Sequence, residues 1–595
     1  MSLKIDPTFV GYYHRELNYL KNAGKTFSEK HPKIASRLGL TEGEVQDPHV
    51  ERMIESFAFL TARLQKQIDS DFPELAQQLL GALYPQLTAP IPSMSVARFE
   101  PDHKKIKATK GQLISKGTQL EIRSTDDIPC YFRTSWDMRL WPIEIESIKT
   151  VNLSALNIKH HQLQRKSAIH LRLKRKGPTF NKLHLEELCF YMQGDNKTLS
   201  KLYDALFHER HPVITASDIQ KEAYINADVT FEAKGFQKDE GALPYPNNAH
   251  PAYRLLMEYS VFPKKFHFFS VRNLHTVKAE EFLDIYIPLS EESAGLKIGK
   301  ENILLNCVPI VNLFHKNLEP LKLDYKQPEY RLVADRRYEK YTEIYQIGKV
   351  TSISEDFPEP QTITPYFSYT YNDESSDYFW YTTRKPSEFY DTVTSEVYLS
   401  LVDLKFNPLK ERPKTIYASA LCTNGNLAES VPAGAALKSS ITFPVKGIKC
   451  IESPSKTVPP VFNAESYWQL ISHLNLNHLS LKETGIKGLK NILNLYAKGQ
   501  RSKEFDAIVN INYEPTTRRA LTDAWRGFIR GTLINLTVEG DVFVNSSLTL
   551  FGNVLRHFFA LYSGINTFTE LSIIKNKEKA PWKQWHPASG YLQLL

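Results

Sequence analysis

Asp47-Pro48-His49-Val50-Glu51-Arg52-Met53-Ile54-Glu55-Ser56-Phe57-Ala58-Phe59-Leu60-Thr61-Ala62-Arg63-Leu64 decides how the first part of the chain folds. Asp47 suits a helix N-cap, and Pro48 suits the first helical position, where no backbone N–H is needed. From there Val50, Met53, Ile54, Phe57, Leu60, Thr61, Leu64 and Ile68 trace one apolar stripe, with Glu51, Arg52, Glu55, Arg63 and Lys66 between them. At 1.5 Å per residue such a helix runs about 30 Å.

Upstream, Phe9, Tyr13, Leu17, Leu20 and Phe27 recur at steps of three, four or seven, which places them on one face of an earlier helix. Gly24 weakens that helix, and His31-Pro32 breaks it. Downstream, Phe72-Pro73 leads into a third helix, Glu74 to Tyr84, which Pro85 ends. Three amphipathic helices can pack on each other, on a neighbouring domain, or against a partner. An arm of this size has a small core of its own, which favours docking.

The pattern changes near residue 91. Ile169, Leu171 and Leu173 alternate with His170, Arg172 and Lys174, the period of a half-buried strand with a basic outer face. Further strand signals lie at Phe282 to Ile287, Val397 to Leu404 and Ile416 to Leu421. The 30 tyrosines and 32 phenylalanines suit a β-rich middle. Helical and strand signals then mix: Ser466 to His473, Leu489 to Tyr496 and Leu548 to Tyr562 as helices, Leu533 to Val538 as a strand. Asn372 to Asp377 reads as an exposed loop. The expected fold class is therefore α+β and multidomain, elongated. An N-terminal helical arm (1–90) precedes β-rich domains (91–245 and 246–460) and a mixed α/β C-terminal domain (461–595).

Composition excludes several function classes. A hydrophobic share of 42% and a charged share of 24% over 595 residues describe globular protein, not a disordered chain. A net charge of +8, from 74 basic and 66 acidic residues, is too dilute for a dedicated nucleic-acid binder. Cys130, Cys189, Cys307, Cys422 and Cys450 are odd in number and never within a CxxC spacing, which points to reduced thiols in a reducing compartment. The N-terminus lacks a signal-peptide pattern, and the most apolar run, Val554 to Ile565, is too short for a bilayer and carries Arg556 and His557. The expectation is a cytoplasmic protein.

Chemistry is sparse. Ala23-Gly24-Lys25-Thr26 has the end of a P-loop, but Tyr19 stands where that loop needs glycine, and a helix precedes it; an exposed turn between helical segments is expected instead. His160-His161 would point to opposite faces of a strand, and His473 and His478 are five apart, so neither pair matches metal-ligand spacing. Pro129-Cys130 lacks the second cysteine and the upstream His-x-Glu of a deaminase. The adjacent acids Asp126-Asp127, Glu186-Glu187 and Glu280-Glu281 are not spaced as a catalytic pair, although two carboxylates need only meet in space. The basic runs Lys104-Lys105-Ile106-Lys107 and Arg172 to Lys176 are interleaved with aliphatic rather than aromatic residues, so they read as solvated strand faces. No catalytic residue, cofactor or metal is expected.

Longer blocks carry a family resemblance. Tyr12-Tyr13-His14-Arg15-Glu16-Leu17-Asn18-Tyr19-Leu20, His31-Pro32-Lys33-Ile34-Ala35, Arg37-Leu38-Gly39-Leu40, and the stretch from Asp47 to Leu64 are followed by Leu83-Tyr84-Pro85 and Ile91-Pro92-Ser93-Met94. Tyr253 to Phe269, Asn306 to Phe314, Tyr398 to Asp403, Leu421 to Asn424, Leu470 to Asn477, Arg530-Gly531-Thr532 and Gly552 to Phe568 continue in order. Over about residues 8 to 590 the chain resembles the TssF family (VasA/ImpG) of type VI secretion baseplates. Ala334-Asp335-Arg336-Arg337 and Phe528-Ile529-Arg530-Gly531 depart slightly from the family pattern, and the tail after Glu578 is loosely similar.

The resemblance implies a wedge built with TssG, TssE and TssK around the VgrG spike hub, forming the platform on which the contractile sheath polymerises at the cytoplasmic face of the inner membrane. It also implies a second TssF copy sharing a helical bundle with TssG. The side chains expected in such bundle contacts are Phe9, Tyr13, Leu17, Leu20, Met53, Ile54, Phe57, Leu60, Leu64 and Ile68. The aromatic helix Leu548 to Tyr562 is compatible with a joint between wedges or with a core helix. The runner-up function is a β-rich binding protein of another phage-like assembly.

Overall fold

A computed structural model describes residues 7–589 apart from residues 38–39, 42–43, 46–47, 71–72, 107–108, 125–126, 156–157, 160–166, 210–211, 220–222, 247–250, 290–295, 354–359, 367–377, 388–392, 404–414, 463, 475–477, 498–502, 520–527, 562, 565–566 and 579. The loop expected at Asn372 to Asp377, the His160-His161 pair and the Asp47 cap lie outside the described residues. The helices are α1 (Pro7–Lys30), α2 (Pro32–Arg37), α3 (Pro48–Ser70), α4 (Pro73–Leu83), α5 (Pro85–Thr88), α6 (Asn196–Phe207), α7 (Pro251–Val261), α8 (Ala464–Leu474), α9 (His478–Tyr496), α10 (Lys503–Asp506) and α11 (Leu548–Ala560). Six of these open on proline, which fixes φ for the first turn and gives up an N–H that has no partner there. The fold is α+β, with helices leading into a β-rich body.

The chain divides into two compact units, Met1–Leu80 with Phe462–Ile471, and Gly81–Val461 with Ser472–Leu595. In the first, α1 and α3 form an antiparallel hairpin. The Phe9 ring meets Phe59 edge-on at 5.0 Å, and Lys21 pairs with Glu51 at 3.6 Å. Ala58 and Ala62, both fully buried, are the small residues of α3 on its inward side. The run Ala23-Gly24-Lys25-Thr26 is not the turn expected from sequence. It lies inside α1, and the break comes at His31, whose carbonyl accepts from Ile34 and Ala35 at the start of α2. Amides committed to a helix cannot curl around phosphates.

In the second unit a closed barrel runs in the order Cys307–Val311, Met94–Pro101, Val445–Cys450, Ala436–Ser439, Gln119–Arg123 and Pro129–Thr134. A sheet built on Ile143–Asn152, Ser167–Arg175 and Phe282–Pro288 lies in the same unit, as does another around Glu343–Ile353, Tyr378–Pro386, Ser395–Asp403 and Thr415–Thr423. Phe314, Ile344, Trp380, Leu399 and Ile416 belong to the core of the latter.

The period-two strand is present as Ser167–Arg175, with Ile169, Leu171 and Leu173 buried. Its basic face is partly exposed to water, but its charges are partnered. Arg172 donates two hydrogen bonds to Asp284 (2.8 and 3.0 Å), His170 Nε2 lies 2.7 Å from the same carboxylate, and Lys176 pairs with Glu144 at 2.9 Å. Cross-strand acids occupy the charge that a phosphate would need.

Helix α11 packs on α6, α7 and the strand Thr567–Lys575. Phe551, Leu555, Phe558 and Phe559 are all buried, and Phe551 meets Tyr259, Phe505 and Phe543. Its N-terminus is capped by Ser547, which accepts from the Leu550 amide at 3.0 Å, and Asp204 of α6 accepts from the Thr549 amide at 3.1 Å. Of the two readings of this helix, the packing matches the core helix: its aromatic side chains fill the interior of their own unit. Helix α9 begins eleven residues earlier than the apolar pattern suggested. Gly485, at φ 60°, bends it, a backbone angle that side-chain-bearing residues rarely adopt.

Candidate functional site

The expected site residues separate into two groups on the hairpin. Phe9, Tyr13, Leu17 and Leu20 are half-buried on the α1 face that carries the Phe9–Phe59 contact. Ile54 is also half-buried. Met53, Phe57, Leu60 and Leu64 are instead exposed, at 71%, 59%, 56% and 61%. The side chain of Ile68 lies outside the described residues.

Steps of four, three and four keep these four exposed residues within about 60° of one another around α3. The buried Ala58 and Ala62 fall on roughly the opposite side of the helix. The helix therefore spends its small residues on α1 and turns its large apolar residues outward. Single exposed leucines are ordinary on a protein surface, whereas an ordered stripe of large apolar side chains is not.

Phe27, expected on the α1 face of Phe9, is exposed, and it stands beside Tyr19 and Ala23, which the apolar pattern had not included. Tyr19 is 67% exposed and, with Ala23 and Phe27, lines a shallow groove beside Lys30 and His31. Their helical spacing was the available signal, hidden by the polar residues on either side.

Among the described residues no group of three or more His, Cys, Asp or Glu could hold a metal ion. All five cysteines are free thiols, and burial raises each of them, Cys189 to about 12, away from the thiolate needed of a nucleophile. The adjacent acids have local duties. Asp127 pairs with Arg123 at 2.9 Å. Glu187 takes a 2.9 Å bond from Lys234; burial pushes its carboxyl up, but Lys234 and Arg272 hold it below the ordinary range. The amides of Glu280 and Glu281 donate to Asp218.

Comparison with known proteins fits a surface whose chemistry is contact. The family model described as "Type VI secretion system, TssF" matches residues 5–592. "Type VI secretion system component TssF1" of Pseudomonas aeruginosa is 28% identical, over 98% of this chain and 99% of that protein. Among solved structures, a chain of the type VI secretion system TssK-TssF-TssG baseplate subcomplex has the same fold, with a TM-score of 0.72 and 23% identity over 91% of this chain and 99% of that one. A chain of the baseplate complex from the type VI secretion system aligns with a TM-score of 0.54 and 20% identity, over 99% and 100% of the two chains.

Proposed function

Because the chain belongs to the type VI secretion system TssF family, we propose that it works as a non-catalytic baseplate subunit whose α3 face docks into a helical bundle with TssG or a second TssF copy. The observation that carries this is the outward row of Met53, Phe57, Leu60 and Leu64, opposite the side that α3 gives to its own hairpin. A helix held by small residues on one side and offering large apolar anchors on the other is built for helix-in-groove contact.

In the fuller proposal the chain joins TssG, TssE and TssK in a wedge around the VgrG spike hub, and the wedges form the platform for the sheath at the cytoplasmic face of the inner membrane. The TssK-TssF-TssG subcomplex, in which a chain of the same fold occurs, supports the TssK and TssG contacts. Among the described residues no helix is long and apolar enough to cross a membrane.

A pull-down from cells that also make TssG and TssK, read by mass spectrometry, tests the assignment. Both partners are expected with the tagged chain in constant proportion. A chain recovered without either would contradict it.

A further inference from the structure

A cavity of about 480 Å³ opens in the second unit between the turn at Lys116 and Gly117, the end of the strand Pro129–Thr134, and the segment from Lys238 to Tyr245. That volume lies in the range of small-molecule sites. Four cations reach it: Lys116, Arg133, Lys238 and Arg254 of α7. Asp239 is the sole carboxylate among the described lining residues.

Behind the wall a carboxylate already serves the cations around it. Glu258, fully buried, accepts from the Ala242 and Leu243 amides at 2.8 and 3.0 Å and from the Lys265 ammonium, and Arg254 Nε stands 3.7 Å from it. The Arg254 fork donates to the carbonyls of Lys238 and Gln237, both at 3.0 Å. The charges in front are not balanced. Arg133 forms no ion pair among the described residues, and Lys116 reaches only the Asp239 carbonyl, at 2.7 Å. Burial lowers the Arg133 pKa, the mark of a cation held away from water without an anion.

A buried polar atom completes the site: the Ser135 hydroxyl, on a residue 1% exposed, has no hydrogen-bond partner among the described residues. Such a group costs free energy unless a partner arrives. Leu243, Pro244 and the Tyr245 ring supply an apolar wall beside it.

We propose that this cavity binds a phosphorylated small molecule, its phosphate received by Arg133, Lys116 and the Ser135 hydroxyl and its organic part by the Leu243–Tyr245 wall. Two uncompensated cations match the double charge of a phosphomonoester better than a single carboxylate, and guanidinium fits phosphate through paired N–H donors.

Calorimetric titration of the full chain with phenyl phosphate tests it. Saturable binding is expected, weakened about tenfold or more by Arg133→Gln and partly kept by Arg133→Lys. Lys116→Gln, at an exposed position, is expected to weaken binding as well, and supplies the comparison if Arg133→Gln does not fold. No binding at millimolar phenyl phosphate, affinity unchanged in the variants, or equal affinity for benzoate would each overturn the proposal. Equal affinity for benzoate would instead indicate a seat for a partner's acidic side chain.

Discussion

The double variant Phe57→Asp, Leu64→Asp is expected to lose co-purification with TssG while the chain stays folded. Both side chains are more than half exposed, so neither supports the core, and the cost in the free chain is the lower helix propensity of aspartate, about 0.5 kcal/mol per site. In a bundle the balance reverses. Burying a phenylalanine or leucine contributes about 2 kcal/mol each, and placing a carboxylate there adds a desolvation cost of several kcal/mol. At 1.4 kcal/mol per tenfold, the combined loss exceeds about a thousandfold in affinity. Far-UV circular dichroism with affinity capture of TssG separates the two effects. Capture by the folded double variant at wild-type level would remove α3 from the interface.

The second large effect is expected at Lys265→Met. Lys265 and Glu258 are both fully buried, and the ammonium donates to Glu258 and to the Gly235 carbonyl at 2.9 Å. Burial pushes the Glu258 carboxyl up, but Lys265 and Arg254 outweigh it and keep it ionised. Removing the lysine leaves a buried carboxylate with two amides and a guanidinium 3.7 Å away. Breaking one side of such a pair costs about 3 to 5 kcal/mol, whereas replacing both sides is far milder. Urea denaturation followed by tryptophan fluorescence should show a clearly lower midpoint for Lys265→Met and recovery of much of it in Glu258→Gln, Lys265→Met. A wild-type midpoint for the single variant would show that the pair carries little stability.

These cases mark what was legible in the sequence. Helices α1, α3 and α4 were read to within about two residues, because a 3.6-residue apolar period bounded by prolines is a local signal. The strand Ser167–Arg175 was legible from its alternation. Its charge partners were not: Asp284 stands 112 residues from Arg172, and no local pattern announces that contact. Barrel closure is hidden for the same reason, since Met94–Pro101 pairs with Cys307–Val311 on one side and Val445–Cys450 on the other.

At the candidate site, sequence identified the large residues of α3 but not which side would face α1. That choice fell to Ala58 and Ala62, whose small size lets the two helices approach closely while the anchors stay outside. The cavity of the second unit had no sequence signal, because Lys116, Arg133 with Ser135, and Arg254 come from a turn, a strand end and a helix far apart in the chain.

Site-specific photo-crosslinking from position 60, in cells that assemble the secretion system, reports directly on what covers the outward side of α3. A benzophenone side chain in place of Leu60 is predicted to join the chain to TssG or to another TssF copy. Crosslinks confined to the same polypeptide, in a strain whose baseplate assembles normally, would contradict the account.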